Sequence, residues 1–341
     1  MTTATTNTAP EQLAVYGVGN ALVDMEYKID DSFLTDHDIP KGHMTLVEED
    51  RLQALTEALA GVTPANSSGG SAANTIYAVQ ALGAQAGYAC KIAQDATGDY
   101  FMHAMRTAGV YVDTHAQVAE GATGRCLVLI TPDAERSMNT HLGISATITT
   151  SALNTEVLSA SDALYIEGYL CSGDDSTELA IKARETAEQA GITTTLTLSD
   201  PAMVQFCKDN LVRIIGNGVN HIFCNEEEAL TWAGTDRLDI AVNELRDAAQ
   251  ALSITLGAKG SMVVDANGQH EVAGFASKVI DTNGAGDIYA GASLWGWTQG
   301  MDGKQAARFA NYCAAQLVAT YGARLANPEA YLALAAGYRN A

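Results

Sequence analysis

Hydrophobic positions in the second half of the chain alternate between short continuous runs and stretches of helical period. Residues 163–167, 193–198 (T-T-T-L-T-L) and 219–224 read as strands, the middle one nearly all β-branched. Residues 176–190 repeat at helical spacing, with Ser176 as the expected cap and Gly191 as the stop. N-E-E-E-A-L, from Asn225, opens another helix. Residues 253–256 and 261–264 flank a glycine turn. Long helices are predicted over 285–299 and 304–321, with a last one from Pro328. This alternation points to an α/β protein: a mainly parallel sheet with helices on both faces, in three α/β/α layers.

The first half departs from that rhythm. Residues 13–23 read as one buried strand opening into Asp24. Residues 49–59 and 74–82 read as helices, the second entered from S-S-G-G-S. Residues 124–131 and 136–141 read as a hairpin about the turn 132–135. These β-rich stretches predict a small β-sheet lid over one end of the main sheet, built from discontinuous segments, roughly 22–47 and 111–142. A single domain over 11–341 follows, after a flexible N-terminus at 1–10.

Charge narrows the chemistry. With 40 acidic and 19 basic residues the net charge is −21, which repels phosphodiester backbones and excludes nucleic acid as a charge-driven partner. A phosphate site must therefore be built locally, from backbone N–H groups, a few cations and a metal. The six cysteines form no C-x-x-C pair, so zinc is not expected, and their scatter suits a reducing cytoplasm. No basic-then-apolar leader opens the chain and no apolar run reaches membrane-spanning length, so no membrane partner is expected.

The chemistry concentrates in five short stretches. The last, D-T-N-G-A-G-D (281–287), lies between the strand-like run Lys278, Val279, Ile280 and a helical run. Asn283, Gly284, Ala285 and Gly286 would let an anion meet the unpaired N–H groups of a helix's first turn. Asp287, in that same turn, would sit beside the anion as a general base for an attacking hydroxyl, or would merely complement the helix dipole. S-G-G-S-A-A-N (68–74) offers main chain at Gly69 and Gly70 and an amide at Asn74. G-N-A-L-V-D (19–24) delivers Asn20 and Asp24, whose carboxylate suits a sugar diol. In N-E-E-E (225–228), Asn225 and Glu228 share a face and could organise Mg²⁺ through water, or the acids could serve the helix dipole. T-L-G-A-K-G (255–260) would line a nucleotide groove with Thr255, Gly257 and Gly260.

In this order, the five stretches resemble the ribokinase-like (PfkB) carbohydrate and nucleoside kinase family. Its two signatures are matched by the early G-G-x-x-x-N and the late D-T-x-G-A-G-D, and the likeness spans 13–322. The resemblance implies ATP-dependent phosphorylation of an alcohol, with Asp287 as catalytic base and Gly284, Ala285 and Gly286 as anion hole. G-N-A-L-V-D, E-R-S-M-N-T-H-L (135–142) and L-S-D-P (198–201) with Gln205 and Phe206 look like adenosine kinases. By that likeness the acceptor is a nucleoside 5′-hydroxyl, adenosine first, and Arg136 closes over the γ-phosphate. Glu167 and Tyr169 are candidates for the base or sugar pocket, and Asn311 for the adenine side. ATP and Mg²⁺ are the implied cofactors. A monovalent cation such as K⁺ is a weaker one, at the Asp281 main chain and the Gly322 loop. Monomer and lid-mediated homodimer both stay open.

Three other readings compete with this one. A sugar kinase of the same fold would act on ribose, fructose or a related sugar. A non-catalytic nucleoside or sugar sensor would be expected to lack Asp287 or its glycines, and all are present. A dinucleotide-dependent oxidoreductase would carry G-x-G-x-x-G after the first strand, and no later glycine follows Gly17 and Gly19.

Overall fold

The β-branched segment Thr193–Thr197 and the apolar Ala163–Ile166 are buried almost throughout, as strands covered on both faces must be. In the computed structural model, which describes residues 11–112, 118–133 and 135–338, they lie side by side in a nine-stranded sheet. The strand order is Gly268–Ala273, Gly260–Asp265, Ala249–Thr255, Val219–Asn225, Thr193–Thr197, Ala163–Ile166, Val15–Val18, Ala86–Ala89 and Tyr111–Val112. All neighbours pair in parallel except around Gly260–Asp265, which runs antiparallel to both sides.

Side chains alternate across this sheet into two separate cores. Leu164, Ile166, Leu196, Ile222 and Leu252 pack against one helical layer, which includes Asp174–Ala190, Lys208–Ile215 and Leu238–Arg246. Val15, Tyr88, Tyr165 and Phe223 pack against the other, which includes Ser71–Ala81, Ala96–Thr107, Ala285–Thr298 and Gly303–Leu317. The three-layer α/β/α expectation is met.

A second sheet of five strands forms the lid, in the order Met44–Leu46, Arg136–Gly143, Thr123–Ile130, Leu22–Lys28 and Ala65–Gly69. On its outer face Tyr27, Leu127 and Leu129 pack against Leu34, Leu52 and Leu55 of the helices Asp31–Asp36 and Glu49–Ala58, and against Leu59 just past the second. Its inner face looks into the cleft above the main sheet.

Several boundaries differ from the sequence reading. Residues 13–23 are not one strand. The chain leaves the main sheet after Val18, turns through Gly19, Asn20 and Ala21, and starts a lid strand at Leu22. Tyr111–Val112, placed at the start of a lid segment, instead pairs with Gly87 and Tyr88 at the edge of the main sheet. Ala65–Gly69 (A-N-S-S-G) is a lid strand outside the expected segments, because backbone pairing with residues 22–26 holds it despite its polar side chains. Gly173, not Ser176, caps the helix ending at Gly191; the Ser176 hydroxyl donates to the Leu170 carbonyl at 2.7 Å from inside the first turn. Residues 278–280 form no strand, and Val279 is 60% exposed. The 1–10 stretch lies outside the described residues.

Candidate active site

The main strands end at one edge of the sheet, and the lid covers that edge. Between them lies a cleft of about 870 Å³, within the size range of small-molecule sites. Its floor comes from the carboxyl ends of parallel strands, the usual ligand crevice of open α/β sheets.

The 281–287 motif builds one wall. Asp281 is buried. Its Oδ1 accepts from the Asn283 N–H at 2.9 Å and its Oδ2 from the Gly322 N–H at 2.6 Å. These bonds curl the loop so that Gly284 caps the helix Ala285–Thr298 with φ of 72°. Only glycine fits there, since a Cβ would stand 2.4 Å from the Ala323 carbonyl oxygen. No side chain caps the first turn, so its N–H groups keep their affinity for an anion. Gly284, Ala285 and Gly286 all line the cleft, and a Cβ on Gly286 would meet nothing within 4 Å.

Asp287 hangs from that turn and faces the helix Ser71–Ala81. Ser71 Oγ donates to its Oδ1 at 2.7 Å, Asn74 Nδ2 donates to its Oδ2 at 2.9 Å, and Thr75 Oγ1 donates to its carbonyl at 3.2 Å. The two helices come this close because of Gly291, whose missing Cβ would lie 2.7 Å from the Thr75 carbonyl oxygen. Removal from water pushes the Asp287 carboxyl up to about 6, against the pull of Asn74, Ser71 and Arg324. That value leaves it mostly ionised at neutral pH and basic enough to take a proton.

The lid contributes Asp24 from the opposite wall. Its carboxylate makes no hydrogen bond among the described residues, and burial lifts its pKa to about 7 although Arg324 opposes this. Gly69, which does not itself line the cleft, makes room for it: a Cβ there would sit 2.3 Å from Asp24 Oδ1. Gly70 lines the cleft and caps the Ser71–Ala81 helix with φ of 96°.

Asn20 and Glu167 both line the cleft, yet they are bonded to each other. Asn20 Nδ2 donates to Glu167 Oε1 at 2.8 Å, and Glu167 Oε2 accepts from the N–H groups of Ala72 at 3.0 Å and Asn20 at 3.3 Å. The carboxylate thus joins a main strand, the turn into the lid and the start of a helix. Burial pushes it up to about 7. Tyr169 lines the cleft and packs against the first core.

At the carboxyl end of the strand Val219–Asn225, Asn225 and Glu228 form a capping box. Asn225 Oδ1 accepts from the Glu228 N–H at 2.7 Å, and Glu228 Oε2 accepts from the Asn225 N–H at 3.0 Å. Asn225 Nδ2 donates to the remaining oxygen, Oε1, at 2.7 Å. Burial lifts Glu228 to about 8. No group of three or more His, Cys, Asp or Glu among the described residues could hold a metal. The donors therefore suit Mg²⁺ only as an ion that keeps its waters and rides on phosphate oxygens, with Glu226, Glu227 and Glu228 nearby in the cleft wall. Thr255 and Gly257 line the same region.

Other expected residues lie elsewhere. Gly260 is outside the cleft lining; its φ of 105° serves the tight turn against Val272. Asn311 is buried, and its Nδ2 donates to the Val272 carbonyl at 2.9 Å, clamping the edge strand instead of lining an adenine pocket. Arg136, by contrast, does line the cleft; it is 8% exposed there, with its guanidinium paired to Asp281 and Glu26. That ion pair also occupies the Asp281 carboxylate beside the Gly322 loop considered for K⁺.

Two features were missing from the sequence reading. The inner face of the lid brings Leu22, Met44, Leu46, Met138 and Leu142 to the cleft beside Asp24, Cys126, Arg136 and Thr140, and none of its cleft-lining residues is aromatic among the described residues. Arg324, in the segment after the helix Gly303–Leu317, reaches behind the cleft. Its Nε donates to Asn74 Oδ1 at 2.7 Å and its Nη1 to Ser68 Oγ at 2.5 Å, with the guanidinium 4.4 Å from the centre of the Tyr77 ring. No local pattern marks it; only its apolar setting, G-A-R-L-A, is unusual for an arginine.

The chain matches the pfkB family carbohydrate kinase description over residues 44–330. It is 28% identical to adenosine kinase of Saccharomyces cerevisiae, over 84% of this chain and 88% of that one. Among solved structures, adenosine kinase from Sinorhizobium meliloti superposes with a TM-score of 0.88 at 32% identity, covering 96% of this chain and 99% of that one. A probable sugar kinase from Rhizobium etli CFN 42 gives a TM-score of 0.88 at 30% identity, covering 95% and 98%.

Proposed function

The chain belongs to the pfkB family of carbohydrate kinases and is an ATP-dependent kinase acting on a hydroxyl group; we propose that its acceptor is the 5′-hydroxyl of a nucleoside, adenosine first. The observation that carries the nucleoside reading is the apolar part of the lid wall, Leu22, Met44, Leu46, Met138 and Leu142. A flat, apolar base loses little by leaving water against such a wall, whereas a bare sugar would leave its hydroxyls facing it unpaired.

In this reading the lid holds the base and Asp24 accepts hydrogen bonds from the ribose diol. The 5′-hydroxyl lies at Asp287. Its proton passes to the carboxylate as the oxygen attacks the γ-phosphorus in line, and the bond to the β-phosphate oxygen breaks to release ADP. The N–H groups of Gly284, Ala285 and Gly286 take up negative charge on the phosphoryl oxygens. Mg²⁺, carried in with ATP near Thr255, Gly257 and Glu228, would neutralise charge on the phosphates. Asn20 and Glu167 shape the pocket through their mutual bonds, and Tyr169 closes its side.

A sugar acceptor is the second reading, favoured by the likeness to the Rhizobium etli probable sugar kinase. A phosphotransfer panel of adenosine, guanosine, inosine, cytidine, ribose and fructose separates the two: a preference for ribose or fructose would overturn the nucleoside assignment. Asp287→Asn is expected to fold and bind ATP but to lose nearly all transfer. Retained turnover in that variant would refute the base role.

A further inference from the structure

Asp287 is gripped by a side chain that is itself gripped. Asn74 donates through Nδ2 to Asp287 Oδ2 and accepts at Oδ1 from Arg324 Nε, at 2.9 and 2.7 Å. A guanidinium can only donate, so it fixes which end of the Asn74 amide faces it. The nitrogen is thereby forced toward Asp287. Arg324 is in turn held from three directions, by Ser68 Oγ, by the Met105 sulfur at 3.8 Å and by the Tyr77 ring. This is a costly arrangement for a cation with no carboxylate in hydrogen-bond contact among the described residues, and nothing in the packing of a loop demands it.

We propose that Arg324 is a positioning residue for phosphoryl transfer: by locking the Asn74 amide it aims the Asp287 carboxylate and keeps it ionised. The proposal rests on Asp287 being the general base. The charged and titratable groups around that carboxylate are Asp24 from the lid, Glu167, Tyr165 and Tyr169 from the strand ends, Glu228 from the nucleotide side, and Arg324. Arg324 is the cation in this set. Without it, one of the groups that oppose burial at Asp287 is lost, Ser71 remains, and the Asn74 amide is free to turn its oxygen toward the base. Both effects raise the pH needed to ionise Asp287.

The test is the pH profile of kcat/KM for adenosine with Mg·ATP, or for whichever acceptor the panel selects, in Arg324→Gln, Arg324→Lys and Asn74→Ala. In Arg324→Gln the acid limb should move up by about one pH unit, the size of effect expected for losing a nearby opposite charge. At pH 7, kcat should fall on the order of tenfold to hundredfold, as for a misplaced catalytic group, with little change in KM for ATP. Arg324→Lys, which keeps the charge and one donor, should recover part of both losses. Asn74→Ala should shift the limb in the same direction. A purely structural arginine would lower the melting temperature and the active fraction but leave the limb in place. If Arg324→Gln folds and its limb does not move while Asp287→Asn is inactive, the inference fails and the base assignment stands. If Asp287→Asn turns over, the base assignment itself fails. If Arg324→Gln does not fold, an unmoved limb in both Arg324→Lys and Asn74→Ala overturns the proposal.

Discussion

Replacing Glu167 with glutamine tests how burial and hydrogen bonding divide control of the site. The carboxylate is 1% exposed and accepts three hydrogen bonds, two of them from backbone N–H groups on the same oxygen. Those bonds favour the charged form, yet burial wins and lifts the group from 4.5 to about 7. Because the folded pKa lies above the unfolded one, the folded protein holds a proton that the unfolded chain has released between about pH 4.5 and 7. Stability therefore falls as pH rises through that window and levels off above it. At roughly 1.4 kcal/mol per unit, the shift corresponds to about 3 kcal/mol. Glutamine imitates the protonated acid: its oxygen can take the Ala72 and Asn20 N–H groups while its amide nitrogen donates to a turned Asn20 side chain. Glu167→Gln should thus match the parent near pH 4.5 and exceed it by up to about 3 kcal/mol at pH 8. Urea unfolding at a series of pH values measures this directly. Asp24 and Glu228 titrate in the same direction in both proteins, so the difference between variant and parent isolates Glu167. A difference that stays constant from pH 4.5 to 8, or a glutamine variant less stable at pH 8, would refute the reasoning.

Two further outcomes are expected. Gly291→Ala puts a methyl group 2.7 Å from the Thr75 carbonyl oxygen, so the helices must part. Stability should drop by about 1–3 kcal/mol in urea unfolding, and transfer should fall more than the loss of folded protein accounts for, since Ser71 and Asn74 withdraw from Asp287; unchanged turnover would count against that coupling. The lid's outer face is already covered by the helices Asp31–Asp36 and Glu49–Ala58, so a partner's lid cannot pack on that face. Sedimentation should therefore find a monomer, and a stable dimer broken by lid-surface substitutions would contradict this.

The sequence exposed the parts whose signal is local. Strands such as Thr193–Thr197 declare themselves by β-branching, and the helix ending at Gly191 by a left-handed stop with φ of 71°. The glycine motif could be read because a tight turn, an uncapped helix and a carboxylate all fall within 281–287. What stayed hidden depends on distant neighbours. Ala65–Gly69 is a strand only because another strand lies beside it. Asn20 and Glu167, 147 residues apart, each read as available for substrate, because no local pattern carries their mutual bond. Arg324 meets Asn74 across 250 residues, and a lone arginine in a loop gives no hint of such a partner. The helix Ala96–Thr107 is not among the sequence expectations, although Asp95, whose Oδ1 accepts from the Gly98 N–H at 2.7 Å, is a local cap.

The break after Val18 has a consequence for timing. Asp24 is carried by the upper sheet, whereas Asp287 belongs to the helical body below. In the proposed mechanism, any swing of one against the other would part the alcohol's anchor from its proton acceptor. On that mechanism the base stays beside the donor whatever the lid does, and it is the acceptor alone that needs both halves together.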